Sequence, residues 1–377
     1  NEARVLESLR LGGELTQAEL SRRTALAPST VSNIVRDLAE AGVVAVQDEH
    51  GGRRGRLVKL EADGRLLLGV EFGQSHLAVA LAGLSRQVIA EMTVPMPLGH
   101  DHVTGLARAV SLVSHLLERS GLERKRVVAG GMALPAPIDL AGRVVGSRSV
   151  LPGWAEIDLV EAAERAFGVP MQVDNDANAG ALGEFAWGAG RGHDNFAYLK
   201  LAHGIGAGLI LNGRLFRGEN GVSGEIGHTT VDERGVFCRC GNRGCLETIA
   251  TTPRLLGMLT PTHPRLSSIA DVVAAARAGD AGCARALGDT GRAVGIAVAN
   301  LCNIVNPGLI VVGGELSLAG DLIIEPMRAI VVRYGVPSAV AGLTITTSEL
   351  GRASQLRGAI ELAAVEGEPR ILAASRA

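Results

Sequence analysis

Residues 224–247 read GEIGHTTVDERGVFCRCGNRGCLE, the stretch of this 377-residue chain that decides its fold. His228 is followed by Cys238, Cys240 and Cys245 within a short loop carrying Gly241 and Gly244. One imidazole and three thiolates at this spacing match a tetrahedral Zn2+ site, and four protein ligands leave the ion no open position. The zinc expected here is therefore structural, and its task would be to fix Glu225, His228 and Glu247 in space. Clustered thiols of this kind speak for metal rather than for a disulfide framework. The other two cysteines, Cys283 and Cys302, fall on helical stretches and read as buried small apolar residues.

Working outward, a second polar cluster stands at 174–178, Asp174-Asn175-Asp176-Ala177-Asn178. It lies where an apolar strand (169–174) gives way to a helix (178–187). A helix N-cap explains one such residue, but four polar residues in five exceed what a cap needs. Open α/β sheets place ligands at the carboxyl ends of their strands. Carboxylates and amides there suit the paired hydroxyls of a sugar, and Asp176 is also placed to take a hydroxyl proton. Further strands are expected at 66–72, 76–81, 88–94, 127–134 and 309–312. Helices are expected at 102–119 and 290–305, with a glycine-rich hairpin over 198–215. The alternation argues an α/β architecture. The glycine turns near Gly73 and Gly206 hint at two related lobes with a cleft between them. The Thr- and Pro-rich segment 252–264 reads as a loop.

The first 62 residues have a different character. Val5, Leu6 and Leu9 share a helical face, and Thr16-x-x-Glu19 is a capping box opening a second helix. After a turn at 25–27, Pro28 suits the first position of a third helix. Val31, Ile34, Val35 and Leu38 form its buried stripe. Its other face carries Ser29, Thr30, Ser32, Asn33 and Arg36, side chains suited to phosphates and base edges. Gly42 is placed to end that helix. Strands at 43–46 and 57–60 then flank a loop bearing Arg53, Arg54 and Arg56, a basic wing tip. This is a winged helix-turn-helix, with operator DNA as its expected partner. The formal net charge of -2 means that any DNA-binding surface must be local.

Together, the cysteine loop, DNDAN, SGEIGH and VNPGLIVVGG resemble the ROK family, named for its repressors, open reading frames and kinases. The likeness covers roughly 66–377, and the helix-turn-helix ahead of it is the arrangement of the xylose-, N-acetylglucosamine- and glucose-responsive repressors. The resemblance implies a two-lobed actin-like, hexokinase-type body: lobe one about 66–183 plus the C-terminal helix, lobe two about 184–350 with the zinc loop. It implies sugar contacts from Asn175, Asp176, Glu225, His228 and Glu247, with zinc on His228, Cys238, Cys240 and Cys245. Operator DNA is expected to be bound by a homodimer or homotetramer, whose half-site spacing the sugar would alter. In the family's kinases the counterpart of Asp176 is the catalytic base.

Three departures argue against an enzyme. The kinases' D-x-G-G-T loop is Glu71-Phe72-Gly73-Gln74-Ser75, so a side chain stands where phosphate needs bare backbone. Their G-T-G-I-G loop is Ala202-His203-Gly204-Ile205-Gly206. After Gly313-Gly314 comes Glu315, a carboxylate unhelpful to nucleotide phosphates. Asp176 is then a vestigial base, and the expected function is a sugar-responsive transcriptional regulator. The alternative is an ATP-dependent sugar kinase that uses Asp176. Composition is consistent with globular domains: 47% of residues are hydrophobic and 20% charged, enough to bury a sizeable core. No apolar run is long enough for a membrane span and no secretory signal is visible, so a cytoplasmic location is expected.

Overall fold

The computed structural model describes residues 1–40, 43–47, 56–60, 64–145, 151–155 and 157–366. The N-terminal unit comprises α1 (Glu2–Gly12), β1 (Leu15–Thr16), α2 (Gln17–Thr24), α3 (Pro28–Glu40), β2 (Val44–Gln47) and β3 (Leu57–Leu60). The Thr16 side chain accepts from the Glu19 N–H while Glu19 reaches back, so the capping box forms. Ala25 ends α2 in the left-handed region, turning the chain toward Pro28. Val5, Leu6, Leu9, Leu20, Val31, Ile34, Val35, Leu38 and Val58 make one buried cluster. β1, β3 and β2 close a small antiparallel sheet around it. Gly42, Arg53 and Arg54 lie outside the described residues.

The body begins with β4 (Leu66–Phe72), β5 (His76–Gly83), β6 (Val88–Pro95), α4 (His102–Arg119), β7 (Val127–Leu134), α5 (Leu159–Phe167) and β8 (Met171–Asn175). Then come α6 (Asp176–Trp187), β9 (Phe196–Leu201), β10 (Ile205–Leu211) and β11 (Arg214–Phe216). Helices α7 (Glu247–Ala250), α8 (Thr252–Leu259), α9 (Ile269–Arg277) and α10 (Ala281–Val305) lead to β12 (Leu309–Gly313). After β12 come α11 (Asp321–Tyr334), α12 (Pro337–Val340), β13 (Thr344–Thr347) and α13 (Ser354–Glu361).

Two five-stranded sheets result, ordered β6-β5-β4-β7-β8 and β11-β10-β9-β12-β13. Each is an antiparallel meander of three strands extended by two parallel ones. The same topology twice is the internal repeat hinted at by the glycine turns. Asp101, Asp158 and Asp280 each cap a helix with a carboxylate, and Ser268 does so with a hydroxyl.

Helices α6 and α13 pack back to back between the sheets. A Cβ at Gly358 would run into the Ala179 carbonyl oxygen, and one at Gly183 into that of Ser354, so the two backbones touch. Glu184 of α6, fully buried, accepts from Ser354 Oγ at 2.8 Å and from Ser348 Oγ at 2.5 Å, locking the pair.

The structure corrects two readings. The segment 252–264 opens with the helix α8: Pro253 sits in its first turn, where no N–H is needed, and Leu255 and Leu259 are buried. The helix after DNDAN starts at Asp176, two residues earlier than expected, because Asn175 serves as its cap. From the α6–α13 contact, Gly358→Ala should cost about 2–3 kcal/mol of stability through overpacking. Denaturant unfolding of the purified variant measures this, and an unchanged midpoint would contradict the close packing.

A candidate sugar cleft beside a metal-ligand cluster

The short turn Ile226–His228 and the loop after it bring His228, Cys238, Cys240 and Cys245 together, with all four ligand atoms within 4.8 Å of one another. Cys238 Sγ lies 3.5 Å from His228 Nδ1, and Cys240 Sγ lies 3.7 Å from Cys245 Sγ. A tetrahedron with metal–sulfur bonds of about 2.3 Å puts its sulfurs roughly 3.8 Å apart, so the donor set fits a metal ion. Coordination through Nδ1 leaves His228 Nε2 facing the other way, 3.7 Å from Glu225 Oε2. One imidazole can therefore serve the cluster and the neighbouring cleft.

That cleft has a volume of about 730 Å³, within the range of small-molecule sites. Asn175, Asp176, Glu225, His228 and Glu247 all line it. Their roles divide. Asn175 Oδ1 accepts from the Ala177 N–H at 2.8 Å and its Nδ2 donates to the Ala136 carbonyl at 2.9 Å, so most of this side chain is spent on capping α6. Asp174 and Asn178 are structural: Asp174 accepts from Asn178 Nδ2 at 2.7 Å and from Arg217 Nε at 2.8 Å. Asp176 is 5% exposed and ion-paired with Lys200 of β9. Burial pushes its carboxyl above the usual range, against the pull of the Lys200 ammonium. Glu247 takes Arg239 Nη2 at 2.7 Å. Burial, then the neighbouring carboxylates of Glu247 and Asp176, raise Glu225 to about 7.

Sequence reasoning missed Lys200 and Arg239. Lys200 is the single charge in the apolar strand Phe196–Leu201, itself a signal, since an unpaired lysine in such a strand is costly. Arg239 sits between two cysteines and passed as part of their loop. The cleft rim holds Gly73, Gln74, Ser75, His203, Gly204, Gly314 and Glu315, so the three glycine-bearing loops do converge on it. Gly73 is roofed by the His76 imidazole, whose Nε2 lies 3.2 Å from Glu71 Oε1. Six carboxylates line the cleft against the three fixed cations Lys200, Arg239 and Arg352.

A second cluster, His263, Asp280 and Cys283, is an elaborated helix cap. Asp280 accepts from the Cys283 N–H at 2.8 Å and faces His263 Nε2 at 2.9 Å, while Thr262 Oγ1 meets His263 Nδ1. Those bonds, the Cys283 N–H first, hold Asp280 down at about 2, and burial pushes the Cys283 thiol up to about 11.

On the N-terminal unit, Ser29, Ser32, Asn33 and Arg36 are exposed and Thr30 half-buried, all on the face of α3 opposite its buried stripe. Arg56 is exposed at the start of β3. Among the described residues, Arg36 meets its neighbour Asp37, at 3.3 Å.

A winged helix-turn-helix joined to a two-lobed α/β body with a ligand cleft defines a transcriptional-regulator class of architecture. The chain belongs to the ROK family, whose profile matches residues 67–366, and the MarR family profile matches residues 1–55. It is 29% identical to the xylose repressor of Caldicellulosiruptor bescii, covering 96% of this chain and 94% of that one. It is also 29% identical to the transcriptional dual regulator NagC of Escherichia coli, covering 94% and 90%. A ROK family transcriptional regulator, a homologue of the E. coli MLC protein, superposes with a TM-score of 0.85 at 26% identity, covering 100% of this chain and 98% of that one. The ROK glucokinase of Streptomyces griseus, solved with glucose and AMPPNP, matches 79% of this chain and 99% of its own at a TM-score of 0.68 and 27% identity.

Two outcomes follow from the site. Lys200→Met leaves a buried carboxylate without its counter-charge and should cost about 3–5 kcal/mol, read by denaturant unfolding. Metal analysis of the purified chain should find one ion per molecule, and Cys240→Ser should lose it. A metal-free wild type refolded with zinc present would contradict the second.

Proposed function

We propose that this chain is a sugar-responsive DNA-binding repressor of carbohydrate genes. Residues 1–62 grip operator DNA, and the body, residues 66–377, reports on sugar in its cleft. The observation that carries the reading is the union in one chain of an exposed polar recognition face on α3 with a carboxylate-rich cleft. The names of the relatives agree: a xylose repressor and NagC each align along nearly the whole chain.

In this reading Asp176, Glu225 and Glu247 accept hydrogen bonds from sugar hydroxyls, His228 Nε2 adds a further polar contact, and Asn175 contributes what its cap leaves over. The ion held by His228, Cys238, Cys240 and Cys245 is Zn2+, whose closed ligand set makes it structural. It supplies rigidity to the loop carrying Arg239, and Arg239 in turn orients Glu247. Ser29, Thr30, Ser32, Asn33 and Arg36 face the major groove, with Arg53, Arg54 and Arg56 on the wing against the backbone. Operators read by such domains carry two half-sites, so the working unit is a homodimer or homotetramer in the cytoplasm. Exposed Ile304, Val332, Tyr334 and Val336 offer apolar surface for a second copy. Sugar then acts by linkage: whatever state of the body it prefers becomes populated, and operator affinity changes by the same coupling free energy.

The rival reading, ATP-dependent phosphorylation of a sugar with Asp176 as base, is favoured by the buried aspartate and the kinase likeness. Four features oppose it. Lys200 occupies the carboxylate that would take the hydroxyl proton. Gln74 and His203 stand in the loops meant for phosphate, and Glu315 adds repulsion.

Thermal shift with D-xylose, D-glucose and N-acetyl-D-glucosamine, each with and without MgATP, separates the two. The repressor reading expects one sugar to raise the Tm of the wild type and not of Glu247→Gln, with MgATP adding nothing. A shift that requires MgATP would favour the kinase. On the DNA side, Arg36→Ala should weaken operator binding roughly tenfold, the worth of one good side-chain contact. Equal affinity in a gel-shift titration would remove α3 from the interface.

A further inference from the structure

Arg86 lies in the turn between β5 and β6, with φ at 70°. That left-handed backbone suits glycine or asparagine, and a bulky residue there calls for a reason in its side chain. The side chain is not at the surface; Arg86 is 6% exposed. Its Nη2 donates to Glu7 Oε2 of α1 at 2.7 Å and lies 2.5 Å from Glu361 Oε1 of α13. Its guanidinium carbon stands 6.0 Å from the centre of the Trp187 ring at the end of α6. One guanidinium thus joins the first helix of the DNA-binding unit, the first sheet of the body, and the ends of both central helices.

Those two helices have their other ends in the cleft. α6 starts at Asp176, capped by Asn175, and finishes at Trp187. α13 starts beside Arg352, Gln355 and Leu356, all of which line the cleft, and finishes at Glu361. Their backbones touch at Gly183 and Gly358, and Glu184 bonds them to each other, so they move together. A 12-residue helix is about 18 Å long, which is the span to be bridged.

We infer that Arg86 is the positioning residue that couples the cleft to the DNA-binding unit. A shift of α6 and α13 when ligand occupies the cleft displaces Glu361 and Trp187 against Arg86, and Arg86 draws Glu7 and α1 with it. Both carboxylates meet the one Nη2, which carries two N–H donors, while the flat guanidinium also lies toward the Trp187 ring, a contact suited to arginine. The inference rests on the reading that a sugar binds the cleft and alters the DNA-binding unit, and it names the route.

Hydrogen–deuterium exchange of α1 peptides in the full-length chain tests it, with D-xylose, D-glucose and N-acetyl-D-glucosamine as probes. Glu7→Gln is the main variant. Its side chain is half exposed and the substitution leaves Arg86, Glu361 and Trp187 in place. Arg86→Gly is the second, since glycine accepts the left-handed turn. A sugar that raises the wild-type Tm should also change α1 exchange several-fold. In both variants the Tm shift should survive while the α1 response disappears. An α1 response equal to wild type in Glu7→Gln and Arg86→Gly overturns the inference and leaves the sugar reading intact. If no sugar moves the wild-type Tm or α1, the sugar reading and the coupling role fall together. The docking contact itself is then decided without ligand: it requires Glu7→Gln to speed α1 exchange in the wild type and to add nothing in an Arg86→Gly background, and additive or absent effects refute it.

Discussion

The contact between α6 and α13 is what the rest of the body depends on. α6 lies against the second sheet, where a Cβ at Gly208 of β10 would meet the Ala177 carbonyl oxygen. α13 lies against the first, where a Cβ at Gly131 of β7 would meet that of Ala359. With Gly183 and Gly358 between the helices themselves, main chain touches main chain across both sheet–helix layers and at the seam. Close-packed interfaces of this kind do not deform continuously; they shift as blocks. Glu184 adds a polar lock, a buried carboxylate satisfied by two serine hydroxyls and by the N–H groups of Ala189 and Leu350. The cleft is positioned by that seam, because Asp176 opens one helix and Gln355 stands near the start of the other.

Charge is arranged around the cleft by the same economy of partners. Asp174 has Arg217, Asp176 has Lys200 and Glu247 has Arg239. A carboxylate removed from water needs such a cation or, as at Glu184, a set of N–H and O–H donors, since an isolated buried charge shifts its pKa and neutralises instead. In the two pairs that line the cleft, Asp176–Lys200 and Glu247–Arg239, the carboxylates keep oxygen lone pairs for a ligand. The cysteine loop contributes through Arg239, which lies between Cys238 and Cys240. Whatever orders that loop therefore also sets the direction of Glu247.

Local elements were largely legible beforehand because their signals are local. The Thr16–Glu19 capping box, the α3 stripe, α4 over His102–Arg119 and the strand Val127–Leu134 stand where periodicity and caps put them. The convergence of His228 with three cysteines was legible too, since a metal site needs its donor types at close spacing. Two local readings went wrong for one reason. Asn175 and Pro253 both act within the first turn of a helix, where a polar or proline residue that elsewhere marks a loop is at home.

The sequence by itself determined the class of each unit: a winged helix of about 60 residues, then an α/β body with a cysteine–histidine cluster and a carboxylate-rich strand end. Only the tertiary structure decided how the charges are paired. Lys200 is 24 residues from Asp176, Arg217 is 43 from Asp174, and Glu7 is 79 from Arg86. Helical and strand periods carry information over a few residues. Partners at such separations are chosen by which surfaces the fold brings together, and no periodicity along the chain records that choice. The same holds for the glycines of α6 and α13, whose lack of a side chain acquires its meaning when another backbone arrives to fill the space.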